Sequence, residues 1–261
     1  HYGTEPLSFF SVFIEERRVA TVAAIVVIAI GLLAGRWQLS RAEQKIVLAN
    51  QIATMAAKER IDLNAKAWTL SEVEFRSVHA RGQFLSNEIV WLDNRPKPNH
   101  GSLSQAHSGF YVLMPFLLDG PVTQVIWVNR GWAPRNSQDR LILPSINTPT
   151  GRVTIEGVAF AGAGKVLELG DQPNSKDRPR IQQNLDLAYE EKQLKYPQLP
   201  FVIRQNDPDR NDGLLRNWPP ATVGVDRHYA YAFQWFALAA AALVFWFTTG
   251  FMRYRNKDKS F

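Results

Sequence analysis

Two long apolar runs lie near the ends of the chain, with a mostly polar stretch between them. The first begins as Val19–Leu33 and continues for several residues with only Arg36 charged. The second is Tyr229–Phe251, which carries no charged residue. A run of about 20 apolar residues is long enough to cross the hydrocarbon core of a membrane as a helix. The pattern therefore predicts two transmembrane helices, at residues 19–39 and 228–251.

The segment after the first apolar run keeps the composition of a helix. Residues 35–59 are rich in helix-forming residues and contain no Pro, and no Gly after Gly35. We therefore predict that the first transmembrane helix continues out of the membrane to about residue 59.

From about residue 60 the pattern changes to short strands. Six runs carry β-branched and aromatic residues and are bounded by Asn, Gly or Pro: 74–85, 88–95, 109–118, 124–134, 151–161 and 198–206. Residues 184–197 predict one short helix, and residues 96–108 and 206–227 predict surface loops. Strands at this density predict a mainly antiparallel β domain over residues 60–227, either a sheet or a small barrel.

Basic residues precede the first apolar run and follow the second: Arg17, Arg18, Arg253, Arg255, Lys257 and Lys259. The positive-inside rule then makes both ends cytoplasmic, whereas a long central segment is translocated largely regardless of its charge. The prediction is an α+β membrane protein in which two transmembrane helices flank an extracytoplasmic β domain. Residues 1–18 form a cytoplasmic arm, and residues 252–261 form a basic cytoplasmic tail.

The first apolar run could also be a secretory signal peptide, because Arg17 and Arg18 precede it. No small-x-small cleavage site follows it, since Arg36, Trp37 and Gln38 stand at that position. We therefore expect an uncleaved membrane anchor.

Composition excludes several classes of chemistry. The chain has no Cys, so it has no disulfide, thiolate metal site or cysteine nucleophile. The net charge of +6 partly reflects membrane topology, and no basic run interleaved with aromatics indicates a nucleic-acid surface. No catalytic motif such as G-x-S-x-G or H-E-x-x-H occurs. We expect a protein that is not an enzyme.

His228 differs from the other four histidines because it opens the second membrane helix. His100 and His107 lie in a polar loop without a third ligand and are expected to be solvated. Neutral imidazole binds haem iron well, and a membrane boundary suits an amphiphilic ring. Tyr231 and Trp235 follow His228 at helical spacing, but such residues are also common interfacial anchors. Both interpretations stay open.

The face of the second helix through His228 carries small residues, which leave room for a flat ring or a neighbouring helix. On the first helix, Gly31 and Gly35 form a G-x-x-x-G pair that permits close helix approach. Across the same interface, Arg36 and Arg41 could meet carboxylates such as haem propionates.

Arg95, Arg130 and Trp132 lie near predicted strand ends and could form a surface that recognises a partner protein. Turn residues and core aromatics would give the same pattern, so both interpretations are kept.

Four blocks together resemble the surfeit locus protein 1 family. They are Gly35-Arg-Trp-Gln-Leu-Ser-Arg41 with Lys45, Gly109-Phe-Tyr-Val-Leu-Met-Pro-Phe116, Val128-Asn-Arg-Gly-Trp-Ala-Pro134, and His228 with Tyr231-Ala232 and Trp235-Phe236. Each block is weak alone, but their order between two terminal membrane spans makes the match specific. The chain departs from many relatives at Arg227 and Tyr229, where Asn and Leu are common.

The resemblance implies a bacterial assembly factor for haem-copper cytochrome c oxidase, which holds or positions haem a for insertion into subunit I. It implies His228 as the axial ligand of the haem iron, with Tyr231 and Trp235 packing the ring and Arg36 or Arg41 near the propionates. Haem a would be bound transiently. The alternative is a scaffold that stabilises oxidase subunits without binding haem and relies on Arg95, Arg130 and Trp132.

The implied partners are oxidase subunit I, other oxidase subunits or assembly factors, haem a synthase and membrane lipid. The implied location is the bacterial inner membrane, with both termini cytoplasmic and the central domain periplasmic.

Overall fold

The computed structural model describes residues 17–98, 108–139, 142–165, 180–207 and 211–258. These residues form two compact units. Of the described residues, 17–48 and 221–258 form the helical unit. The described residues between Ala49 and Pro220 form the strand-rich unit.

The helical unit consists of α1 (Arg18–Ala56) as far as Leu48, together with α4 (Val225–Asp258). Both helices are long and apolar enough to cross a membrane. With 39 residues, α1 is about 58 Å long, against roughly 30 Å for a hydrocarbon core. It therefore continues past its apolar run and ends near the predicted boundary. Residues 1–16 of the predicted arm and 259–261 of the predicted tail lie outside the described residues.

Small residues bring α1 and α4 close together. Gly31 and Gly35 are buried, and a Cβ atom added to Gly31 would lie 2.9 Å from the Cβ of Ala239. The same atom would lie 2.9 Å from the carbonyl oxygen of Trp235. A Cβ atom on Gly35 would lie 2.5 Å from the ring of Phe236. A side chain at Gly31 would push the helices apart, and one at Gly35 would displace the ring of Phe236. The close approach predicted from the G-x-x-x-G pair is confirmed.

The strand-rich unit is built from short strands and two short helices. In chain order they are β1 (Ile61–Asp62), α2 (Leu70–Val73), β2 (Ser77–Phe84), β3 (Val90–Pro96), β4 (Ser108–Leu118), β5 (Val125–Pro134), β6 (Val153–Phe160), β7 (Arg180–Gln182), α3 (Leu187–Leu194) and β8 (Gln198–Gln205). The six predicted strands are present, and α3 lies within the predicted helix. The sequence missed β1 and β7 because two or three residues are too few to show an alternating pattern.

Strand pairing closes part of the sheet into a barrel. The strand order is β1-β2-β6-β8-β5-β4-β3-β7, and β2 also pairs with β4. That pairing joins the two sides, so β2, β6, β8, β5 and β4 form a closed ring, from which β3 and β7 extend. Most pairings between the described strands are antiparallel, and the parallel ones are β1–β2, β3–β7 and β5–β8. The predicted fold class is confirmed, and the domain is a small barrel with an extended wall.

Apolar side chains at alternate strand positions fill the barrel. Its best-buried members include Val78, Ala80, Phe116, Ile126, Val128, Ile155, Ala159, Phe201 and Ile203. The intervening positions form a second cluster outside the wall: Val90, Leu92, Leu113, Val125, Trp127 and Val202, covered by Leu194 of α3. Because the wall is buried on both sides there, β5 begins with four consecutive apolar residues, Val125–Val128, and is buried at nine of its ten positions.

Closure of the barrel depends on Gly82, the residue of β2 that pairs with both β6 and β4. A Cβ atom at Gly82 would overlap the carbonyl oxygen of Leu117. We therefore expect Gly82→Val to open the β2–β4 seam and to lower the free energy of unfolding by about 3 kcal/mol. Denaturant unfolding of the detergent-solubilised chain, followed by circular dichroism, measures this loss.

Gly162→Val is the matched control for this variant. A Cβ atom at Gly162 meets no atom within 4 Å, so its effect should stay within about 0.5 kcal/mol. Equal stability of the two variants would contradict the closed barrel.

Candidate functional site

His228 lies in the first turn of α4, where its backbone N–H donates to the carbonyl oxygen of Gly224 (3.3 Å). Its side chain is half-buried and points to α1, with Nδ1 2.7 Å from Oε1 of Gln38. An amide oxygen only accepts hydrogen bonds, so with the Gln38 amide in this orientation a neutral imidazole carries its proton on Nδ1. The lone pair then lies on Nε2, which has no hydrogen-bond partner among the described residues. This is the tautomer that can bind a metal through Nε2.

The small-residue face of α4 is occupied by α1. Ala232 and Ala239 on this face are buried, and Ala239 packs against Gly31 of α1. Of the two possibilities that the sequence left for this face, the structure has the neighbouring helix. A flat ring bound by His228 would therefore lie beside the helix pair, where Tyr231 is 45% exposed and Trp235 is half-buried.

The two arginines predicted near this site lie on different sides of α1. Arg41 is exposed and follows Gln38 by about one turn. Its guanidinium lies 5.5 Å from the ring centre of Trp37 and donates to Oε1 of Gln44 (3.1 Å). Arg36 is exposed and precedes Gln38 by two residues, which places it about 160° away around the helix axis. The structure thus places Arg41 next to the level of His228 and leaves Arg36 on the far side of α1.

Gln38 is the member of this site that sequence reasoning missed. One face of α1 carries Gly31, Gly35, Gln38, Ala42 and Lys45, at alternating spacings of four and three. That spacing is the signal that could have found Gln38, because it places one amide on the face defined by the two glycines. The same face ends with Lys45, whose Nζ donates to the carbonyl oxygen of Val223 (2.8 Å).

A bare metal ion does not suit the donors present. The described ranges contain no group of three or more His, Asp or Glu side chains that could hold a metal ion. His79 lies beside Asp62, with Nε2 3.7 Å from Oδ1, and opposite Glu156 of β6. His100 and His107 lie outside the described residues. The single imidazole of His228 instead suits an iron atom whose other ligands belong to a porphyrin.

The predicted partner-binding residues lie inside the strand-rich unit. Arg95, Arg130 and Trp132 are 4%, 1% and 3% exposed. Arg95 donates to the carbonyl oxygens of Gln183 (2.7 Å) and Gly164 (3.3 Å). Its own carbonyl oxygen accepts from Nε1 of Trp132 (3.0 Å). These contacts are those of core residues, and their contact with a partner protein stays a prediction.

Arg130 holds a segment that the sequence predicted as a surface loop. It donates to Asp212 (3.3 Å) and to the hydroxyl of Thr148 (2.7 Å), and Arg216 pairs with the same carboxylate. Leu215 exchanges both backbone hydrogen bonds with Trp132. Asp212 and its neighbours are thus anchored to the barrel itself, without a partner protein.

A cluster of cationic and aromatic side chains lies on the outer wall of the barrel. The guanidinium of Arg204 lies 3.9 Å from the ring centre of Phe160 and 5.2 Å from that of Trp218. Trp218 packs edge-on against Tyr111, and Arg95 lies 5.4 Å from the Tyr111 ring centre. Burial lowers the pKa of Arg95 and Arg204 and raises the pKa of Tyr111, while the charges oppose these shifts. The cluster is thus held together by cation–π and edge-on aromatic contacts.

Comparison with known families covers the helix pair and the barrel together. A sequence model of the SURF1 family matches residues 24–240. The chain belongs to the SURF1 family. The matched range begins within α1 and ends within α4, so it includes the Gly31–Ala239 contact, Gln38, His228 and the whole strand-rich unit. The SURF1 family is one of cytochrome c oxidase assembly factors rather than of enzymes.

Individual SURF1 relatives align over very different lengths. A SURF1-like protein of Rickettsia bellii is 24% identical over 235 residues, 85% of this chain and 87% of that protein. One of Monosiga brevicollis is 23% identical over 241 residues, 91% of this chain and 88% of that protein. Surfeit locus protein 1 of Gallus gallus is 31% identical over 109 residues, 39% of this chain and only 35% of that protein.

The absence of Cys from this SURF1 chain allows a direct test of the helix pair. We expect Gly31→Cys with Ala239→Cys to form an intramolecular disulfide upon oxidation. The two Cβ positions lie 2.9 Å apart, and a separation of the helices by about 1 Å brings them into the range of about 3.5–4.5 Å that a disulfide needs. Leu32→Cys with Ala239→Cys is the control, since Leu32 is exposed. Mass spectrometry of the oxidised chains measures the bond, and equal yields would contradict the packing.

A second test asks whether Arg130 stabilises the barrel or binds a partner protein. Asp212→Ala leaves two buried guanidiniums without their shared carboxylate, so we expect a loss of about 3–5 kcal/mol in the free energy of unfolding. Asp119→Ala removes the exposed pair with Arg152 and should cost less than about 1 kcal/mol. Denaturant titration in detergent compares them. Full stability of Asp212→Ala, with loss of a partner, would assign Arg130 to recognition.

Proposed function

We propose that this chain is a membrane-anchored assembly factor that holds haem a for insertion into subunit I of cytochrome c oxidase, with His228 as the axial ligand. The observation that carries the proposal is the 2.7 Å contact between Nδ1 of His228 and Gln38. It favours the tautomer in which Nε2 is free to bind iron, at the end of a membrane helix. Metal-bound histidines commonly donate their second N–H in this way.

The surroundings of His228 are suited to an amphiphilic ring. Tyr231 and Trp235 follow on the same flank of α4 and supply aromatic surface. Arg41 lies about one turn beyond Gln38 on α1 and supplies a guanidinium that pairs well with carboxylates such as propionates. Arg36 is the weaker candidate for that role because of its place on the opposite side of α1.

The proposed orientation places His228 at the periplasmic boundary of the bacterial inner membrane. Arg17 and Arg18 precede α1, and Arg253 and Arg255 lie at the end of α4, so the positive-inside rule makes these ends cytoplasmic. Residues 49–220 would then be periplasmic.

A scaffold that stabilises oxidase subunits without binding haem is the second candidate. It is favoured by one observation: the small-residue face of α4 packs against α1 and does not form an open slot. In that case His228 and Gln38 would serve only as a polar contact between the helices.

Haem content separates the two candidates. The chain is co-expressed with haem a biosynthesis, purified in detergent and compared by absorption spectroscopy with His228→Ala. Loss of a residue that only supports a metal ligand lowers metal affinity by about 10- to 100-fold. Because His228→Ala removes the ligand itself, we expect the amount of haem per protein to fall by at least about 100-fold.

His79→Ala is the matched control, because His79 lies in the strand-rich unit and should leave haem content unchanged. Equal haem content in wild type and His228→Ala would overturn the ligand assignment. Absence of haem from every variant, with oxidase assembly still dependent on the chain, would establish the scaffold.

A further inference from the structure

The polar contact that reaches the imidazole of His228 comes from one residue of the other helix. Gln38 lies three residues after Gly35 and seven after Gly31, on the same face of α1. The glycines let the backbones approach, and the amide then spans the remaining gap to Nδ1. In the described part of the chain, no other side chain makes a hydrogen bond to this ring.

We propose that Gln38 is a positioning residue, which holds His228 in the Nδ1–H tautomer and strengthens Nε2 as an iron ligand. The haem part of this inference rests on the proposed function, whereas the tautomer part can be tested without haem. A hydrogen bond accepted from Nδ1–H raises the basicity of the opposite ring nitrogen and fixes the ring orientation. Gln38 would thus tune the ligand without touching the iron.

The chemistry of the amide makes the proposal specific. If the oxygen faces Nδ1, the imidazole donates and Nε2 is free. If the NH₂ group faced Nδ1, the proton would move to Nε2 and the ring could not bind iron through that atom. Gln38→Glu separates these cases, because a carboxylate can only accept from Nδ1. Gln38→Leu keeps a similar size and removes the acceptor.

The tautomer is measured first, on the haem-free chain in detergent micelles. Nitrogen-15 NMR of histidine-labelled protein at about pH 8.5, where free imidazole is neutral, distinguishes Nδ1–H from Nε2–H. The His228 signals are assigned by their loss in His228→Ala. We expect Nδ1–H in wild type and in Gln38→Glu, and a mixture of tautomers in Gln38→Leu. An Nε2–H ring in wild type would overturn the proposal.

Haem a is then titrated into each variant, and the reduction potential of the bound iron is measured. We expect Gln38→Leu to bind about 10- to 100-fold more weakly than wild type. A more basic ligand favours ferric iron, so the potential should be lowest in Gln38→Glu and highest in Gln38→Leu. Gln51→Leu is the matched control, since Gln51 is exposed on α1 and lies away from His228 and Arg41. It should match wild type.

The Gly31→Cys and Ala239→Cys pair, placed in the Gln38→Leu background, shows whether the helices still pack. If Gln38→Leu still allows the cross-link but binds haem more weakly and at a higher reduction potential, the result supports Gln38 as a positioning residue. Wild-type affinity and potential in Gln38→Leu would overturn the inference and leave the proposed function standing. Absence of haem from wild type would overturn the proposed function and the haem part of the inference, while the NMR result still decides the tautomer.

Discussion

The packing of α1 against α4 depends on the close approach of their backbones. Both helices are expected to lie in lipid, where no hydrophobic effect favours their association. Lipid tails are as apolar as the helix surfaces, so association relies on packing and on polar contacts between helices. Gly31 and Gly35 provide the packing, since any Cβ atom there would collide with α4. The contact between Gln38 and His228 lies one turn further along this seam. The candidate ligand is therefore positioned by the same residues that hold the membrane helices together.

Other polar contacts strengthen the seam near its opposite end. Nε1 of Trp246 donates to the hydroxyl of Thr21 (3.0 Å), and Arg17 donates to the carbonyl oxygen of Trp246 (2.9 Å) and to the hydroxyl of Thr249 (2.6 Å). Such bonds contribute about 0.6–2 kcal/mol each in membranes. The Gln38–His228 and Lys45–Val223 contacts lie towards the other end. Polar contacts therefore lie on both sides of the packed glycines and limit sliding of one helix along the other.

The sequence was most informative where structure repeats locally. The apolar runs predicted both long helices, the spacing of Gly31 and Gly35 predicted their contact, and alternating runs predicted six strands. Closure of the barrel at Gly82 could not be predicted, because it joins β2 to β4 through backbone bonds that leave no pattern in side chains. Burial of Arg130 was hidden for a related reason: its carboxylate partner, Asp212, lies 82 positions away. Gln38 was overlooked although its spacing from the glycines was visible, because its importance depends on a partner in the other helix.

The separation of Gln38 and His228 along the chain has a consequence for biogenesis. The two residues lie 190 positions apart, with the whole strand-rich unit between them. When the ribosome has synthesised α1 and the barrel, the chain contains Gln38 but does not yet contain His228. The proposed ligand cannot acquire its hydrogen-bond partner until α4 has entered the membrane beside α1. The order of synthesis thus acts as a control on timing: only a chain whose α4 has been made and packed beside α1 presents an ordered imidazole.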